Sequence, residues 1–411
     1  MIAATTTFAV AATEASTQSG GQSNGPVVID QLTGFGDIVA GQSLNVTDTG
    51  SVQASTSAIA NRIDGAVQQE AGQATTAQAS QPNVVAETEL TLNGDTTGYV
   101  VVQTQAHANY LAASASDGAL AIDASQSAIQ SATGAGVRAA TTIDDDDARL
   151  LAGANVSTGA YANTIALGGE TASVTGSVDQ TSQTQVTAST YNAVQYIPAE
   201  AAFSAQALGN AVQSNTTANS HQELDVRQSN APSTIQAEVS TNAGNAWNLA
   251  GRANAAANQA NLYNSGGSMV VSTDQSNAGR VRSTAVVTAY DYGAATATAH
   301  AAGNEVVAGN NDIYLELDNT QLNSGGVEAS AAFAGNTGYD AYVGADAVGN
   351  SVTGYTCSTC AGVLNATSSQ VNNGDVSAVA NTTVNGSGRA VVTGANAVGN
   401  SATFYVARPG S

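Results

Sequence analysis

A chain of 411 residues with 31 carboxylates, nine arginines and no lysine carries a formal net charge of −22, which weighs against contact with phosphate backbones or anionic membrane surfaces. Only 10% of residues are charged and 5% are aromatic, so the 42% apolar fraction is mostly Ala and Val, suited to a narrow interior rather than a wide globular core. No apolar run reaches the roughly 18 residues of a membrane-spanning helix, and the charge favours a cationic partner: a metal ion, a basic protein or an amino-sugar polymer.

In chain order, residues 1–25 read as an N-terminal cap or polymerisation segment. Met1 to Val10 has no basic flank and makes a poor secretion signal, so either a leader has been removed or export takes a specialised route. From 26 to 406 the chain repeats. A Gln, often within Gln-x-Asn, opens each unit at Gln31, Gln81, Gln126, Gln183, Gln228, Gln275, Gln321 and Gln370. An Asn after a small residue follows at Asn61, Asn109, Asn163, Asn210, Asn258, Asn304, Asn350 and Asn400. The last two units match most closely: Gly344 to Asn350 and Gly394 to Asn400 differ at one position in seven. Tyr263, Tyr355 and Tyr405 each stand five residues after their Asn.

Inside the units apolar residues alternate, as in Val327-x-Ala329-x-Ala331 and Val376-x-Ala378-x-Ala380, which predicts strands with one buried face. Asn-Gly, Gly-Gly and Ser-Gly pairs punctuate them as turns. The expected fold is all-β: an elongated β-solenoid, or β-helix, of about eight 48-residue repeats. Two coils of about 24 residues per unit would give about 16 coils and a rod of about 75 Å. A string of antiparallel β-sandwiches is the alternative, and Ala250 to Asn258 is the stretch with most helical character. In the third unit 37 residues separate Gln126 from Asn163, against 27 to 30 elsewhere, and the excess is read as an acidic loop near 140–150 around Asp144 to Asp147. Residues 407–411 form a C-terminal tail.

The chemistry-bearing motifs are few. Cys357-Ser358-Thr359-Cys360 suits a local disulfide; a zinc site would need two more ligands, and His107, His221 and His300 lie far off in sequence. The Asp run lacks the spaced ligands of a calcium loop. No catalytic, cofactor-binding or metal-binding set is assigned. The recurring Gln and Asn have two readings: structural ladders or turn caps inside the rod, or outward rows that contact a sugar polymer.

The Gln-x-Asn openings, the Ala-x-Ala-x-Gly-Asn closings and the acidic Ala/Asn/Gln/Thr background resemble the holdfast anchor HfaD family of stalked alphaproteobacteria. In style they are also similar to curlin-type, amyloid-like surface repeat proteins, whose units are about half as long. The resemblance implies a secreted, non-enzymatic cell-surface protein associated with the outer membrane. Such a protein would form homo-oligomers or filaments and work with sibling holdfast anchor proteins and an outer-membrane lipoprotein exporter. Together they would tie an adhesive N-acetylglucosamine-type polysaccharide to the cell. A polymer-binding fibre or spike, such as a phage fibre, is the second reading, and a polysaccharide-processing enzyme on a β-helix the third.

Overall fold

The computed structural model describes residues 26–34, 36–81, 83–130, 136–144, 147–357 and 362–406. The expected segments at 1–25 and 407–411 lie outside them. Within them the chain is strand and turn, with no helix.

Three strands make the first coil: β1 (Val27–Thr33), β2 (Asp37–Thr49) and β3 (Val52–Gln68). The chain then returns to its starting edge, and β4 (Ala71–Ser80), β5 (Asn83–Thr96) and β6 (Val100–Ser116) lie in parallel register on β1, β2 and β3. The third coil holds β7 (Ala119–Ile129), β8 (Val137–Asp144), the short β9 (Arg149–Leu150) and β10 (Ala154–Glu170). From the fourth coil the second and third strands run together through a bend. Coil 4 is β11 (Ser173–Gln183) and β12 (Val186–Thr217), and coil 5 is β13 (His221–Asn230) and β14 (Thr234–Asn264). Coil 6 is β15 (Ser268–Asn277) and β16 (Arg280–Asn310), and coil 7 is β17 (Tyr314–Asn323) and β18 (Val327–Thr356). Coil 8, the last among the described residues, holds β19 (Val363–Asn372), β20 (Val376–Val384) and β21 (Ala390–Val406). The all-β solenoid is therefore observed, and strands of successive coils pair in parallel, which removes the antiparallel sandwich.

Two expectations change. A unit is one coil, not two: Asn61 bonds directly to Asn109, its counterpart one whole unit on, and β3 likewise pairs with β6 a whole unit away rather than with a strand half a unit away. Eight strand layers about 4.8 Å apart make a rod of roughly 35–40 Å, half the expected length. Each coil has three sides, so a whole unit closes only one circuit. The second change concerns Ala250 to Asn258, which lies inside β14 with alternating burial. The strands stacked on both sides of it, β12 and β16, satisfy its backbone and override the helical preference of Ala.

Small side chains are what this cross-section accepts. The first half of the β3-type strands packs against the β2-type strands through Val52, Val100, Ala154 and Ala201 on one side and Val84, Val137, Val186 and Ile235 on the other. Their second half packs against the β1-type strands through Ile63, Leu111, Ile165 and Val212 facing Leu120, Val174 and Leu224. The rod thus has two long apolar cores, with a small third cluster at Leu208, Ala256 and Ala302, and the rows of Asn and Gln lie where one long core gives way to the other.

The register also places the extra residues of the third coil. Gln126 stands eleven residues before Val137, whereas Gln180 stands six before its partner Val186, so five of the seven extra residues precede β8. The other two fall between Asp144 and Arg149, at the acidic run.

Candidate functional site

Because strand side chains alternate, a residue kept at a constant inward position in every coil stacks on its own copies. Asn61, Asn109, Asn163, Asn210, Asn258, Asn304, Asn350 and Asn400 do this. Each Nδ2 donates to the Oδ1 of the next coil's Asn at 2.7–2.8 Å, from Asn61 through Asn350. The six from Asn109 to Asn350 have no solvent exposure.

The Gln row runs through Gln31, Gln78, Gln126, Gln180, Gln228, Gln275, Gln321 and Gln370, each Nε2 donating to the Oε1 of the preceding coil's Gln at 2.7–2.9 Å. Gln81 and Gln183, expected in this row, are outside it. Each stands three residues after a ladder Gln, an odd offset that reverses the face. Gln183 is exposed, and Gln81 meets Thr33 through its backbone N–H.

The two rows are laced together. Gln126 donates to the carbonyl of Thr164, just after Asn163, and Asn109 donates to the carbonyl of Ser127, just after Gln126. The same exchange recurs at Gln228 with Gln259 and at Asn258 with Ser276. These backbone acceptors fix which end of each amide is nitrogen, so the rows have opposite polarity: Gln donates toward earlier coils and Asn toward later ones.

Sequence reasoning missed a third row. Asn230, Asn277, Asn323 and Asn372 bond in series at 2.7–2.8 Å. They are the Asn of Gln-x-Asn; two residues after an inward Gln, they also point inward, so the motif carried the signal. A buried hydroxyl chain also crosses between β2-type and β3-type strands: Thr56, Thr88, Thr104, Thr141, Thr158 and Thr190 follow one another at 2.7–2.8 Å. Scattered threonines give no sequence signal for it, because its members alternate between two strands of each coil.

The remaining expected residues stay apart. The three histidines belong to separate coils. His107 is buried, stacked on Tyr161 at 4.5 Å, and burial, with the nearby Arg62 charge adding to it, pushes its imidazole down to about 4. His300 lies 3.1 Å from Asp346, and His221 contacts Ser268. No cluster of three metal-ligating side chains occurs among the described residues. Cys357 is half-buried after β18, its N–H donating to the Asn310 carbonyl; Cys360 lies outside the described residues, and with it the candidate disulfide. Tyr355 and Tyr405 stack at 5.5 Å, and Tyr263 reaches Tyr355 across Gly309 at 6.4 Å between centroids.

A sequence model of holdfast attachment protein D (HfaD) matches residues 46–326, more than half of the chain. The chain belongs to the HfaD family. The match runs from β2 to the residue before β18 and contains the two laced rows from Asn61 to Gln321. Comparisons with curated proteins and with solved structures give no match. HfaD membership makes this a holdfast attachment protein with a role in cell-surface adhesion. Among the described residues no helix is long and apolar enough to cross a membrane.

Proposed function

We propose that this HfaD-family chain is a structural anchor subunit that associates with its own copies and tethers an adhesive polysaccharide to the outer membrane. Sibling anchor proteins and an outer-membrane lipoprotein exporter are its proposed partners. The observation that carries the reading is the stacked rod itself, in which two buried amide rows join all eight coils. Such a body resists extension because many parallel bonds must break together.

Self-association is supported by the last coil. Among the described residues β19, β20 and β21 pair with coil 7 on one side only, and Val363, Val379, Val391 and Phe404 are exposed there. Unpaired strand edges of this kind template further strands. The polarity of the rows adds direction. Coil 8 presents the Gln370 Oε1 acceptor and the Asn400 Nδ2 donor, whereas coil 1 presents the Gln31 Nε2 donor and the Asn61 Oδ1 acceptor, which already takes the Thr33 hydroxyl. Last coil on first coil continues each row with its own donor on its own acceptor and keeps the strands parallel, as between the coils within the chain. Electron microscopy of purified protein, with gels run after heating in SDS, tests the reading. Resistant end-to-end multimers are expected, and a strictly monomeric, easily melted rod would refute it. Measured turnover of a polysaccharide would instead favour an enzyme.

A further inference from the structure

Six of the fourteen Tyr and Trp residues gather at one corner of the rod, where the β2-type strands bend into the β3-type strands: Tyr99, Tyr196, Trp247, Tyr290, Tyr292 and Tyr339. Only Tyr292 turns into the core, against Phe333. Trp247, the single tryptophan, is 54% exposed, Tyr290 65% and Tyr339 50%. In coils 4–7 no large aliphatic side chain is exposed at this corner: Val194 and Ile197 are buried. A surface that keeps its rings in water while burying its aliphatics is not a stray piece of core.

Two of these rings join into a strip that spans three coils. Trp247 in coil 5 and Tyr339 in coil 7 meet edge to face at 6.0 Å, although a whole coil separates them. Gly293 of the intervening coil makes room, since a Cβ there would lie 2.9 Å from the indole Cδ2. Arg389 of coil 8 continues the strip, its guanidinium 5.4 Å from the Tyr339 ring centre and its Nε bonded to Asp340 at 2.9 Å. Beside the strip is an open groove of 520 Å³ lined by Arg149, Gln195, Tyr196, Gly244, Asn245 and Tyr290. Coil 5 contributes only Gly244 and Asn245 here, so the floor is low between Tyr196 of coil 4 and Tyr290 of coil 6.

We infer that this corner is a saccharide-binding edge, in which Tyr290, Trp247 and Tyr339 stack on the apolar faces of pyranose rings while Gln195, Asn245 and the remaining donors of Arg149, which is paired with Asp95 at 3.0 Å, hydrogen-bond their hydroxyls. Aromatic faces flanked by convergent amide and guanidinium donors are the chemistry that a flat ring with polar edges requires. The backbones of Trp247 and Tyr339 stand about 10 Å apart along the rod, but their rings lean together to 6.0 Å, so the pair offers one joined aromatic face. The strip is straight and one side chain wide, which fits an extended chain better than a broad protein surface. The inference rests on the polysaccharide-tethering reading and gives it a location.

The single tryptophan supplies the test. Full-length protein is titrated with β-1,4-linked hexamers of glucose, N-acetylglucosamine and glucosamine, following Trp247 emission and, in parallel, binding heat. A saturable blue shift with at least one hexamer is expected. Tyr290→Ala should weaken it about tenfold or more with unchanged circular dichroism, while Tyr290→Phe keeps it. Binding heat without any emission change, and equal in Trp247→Ala, would overturn the corner and leave the tethering reading standing. Absence of both signals for every sugar counts against the tethering reading, and the corner falls with it. An emission shift that follows protein concentration without sugar makes the corner a contact between copies and overturns the inference.

Discussion

Asn258 shows what one amide does in this rod: it accepts from Asn210, donates to Asn304 and donates to the carbonyl of Ser276, with no solvent exposure. Asn258→Ala orphans three buried groups at once, so a loss of about 3–5 kcal/mol is expected from the denaturant midpoint. Gln183→Ala, at an exposed position outside the row, should stay within about 0.5 kcal/mol. His107 gives a pH dependence of known sign. Its folded pKa, about 4, lies below the ordinary value of 6.5. Unfolded chains therefore take up a proton first as pH falls, and stability is full above about 6.5 and declines toward pH 4, by about 3 kcal/mol at most. His107→Phe, which keeps a ring against Tyr161, should show a smaller drop in melting temperature between pH 7 and pH 4.5 than the parent chain.

Elements in this protein are set by their neighbours in the next coil more than by their own propensities. Asn277, Asn323 and Asn372 each donate to the carbonyl two residues on, at Gly279, Gly325 and Gly374, folding the same tight turn in successive coils. Stacked turns bring backbones so close that a Cβ on Gly325 would lie 1.8 Å from the Gly279 oxygen. Gly325→Ala should cost about 3 kcal/mol, whereas Gly326→Ala, with nothing within 4 Å, should cost almost nothing. Comparing the two thermal midpoints checks that stacking, not turn conformation alone, demands the glycine.

For the whole molecule, the decisive quantity is the length of one coil. Asn230 and Asn277 occupy the same place in successive coils, so deleting residues 231–277 removes one circuit and rejoins the chain in register. A folded rod one coil shorter is expected, with a cooperative melt and a proportionally smaller hydrodynamic size. Deleting half a unit from the same point, harmless if a unit held two coils, should abolish folding because every inward row downstream loses its partner. Size-exclusion chromatography and circular dichroism of the two deletions separate these outcomes.

Period-2 alternation and a constant spacing between amides are enough, in the sequence by itself, to determine an all-β solenoid of about eight units. Both are local regularities, and any stacked fold must repeat them, which is why positions such as Asn258 and Gln228 can be marked without a structure. Gln78 and Gln180 cannot be told from Gln81 and Gln183 in this way. Composition offers several Gln per unit, and only inter-coil register decides which one points inward. Coil size is likewise hidden: a unit divides as readily into two circuits as one, and the number of sides per coil follows from how sheets pack, not from periodicity. The aromatic corner is illegible for the same reason. Trp247 and Tyr339 stand at one repeat position, but Gly293 holds that position between them and Tyr290 lies three residues before it in its coil, so only the stacking of three coils sets the rings side by side.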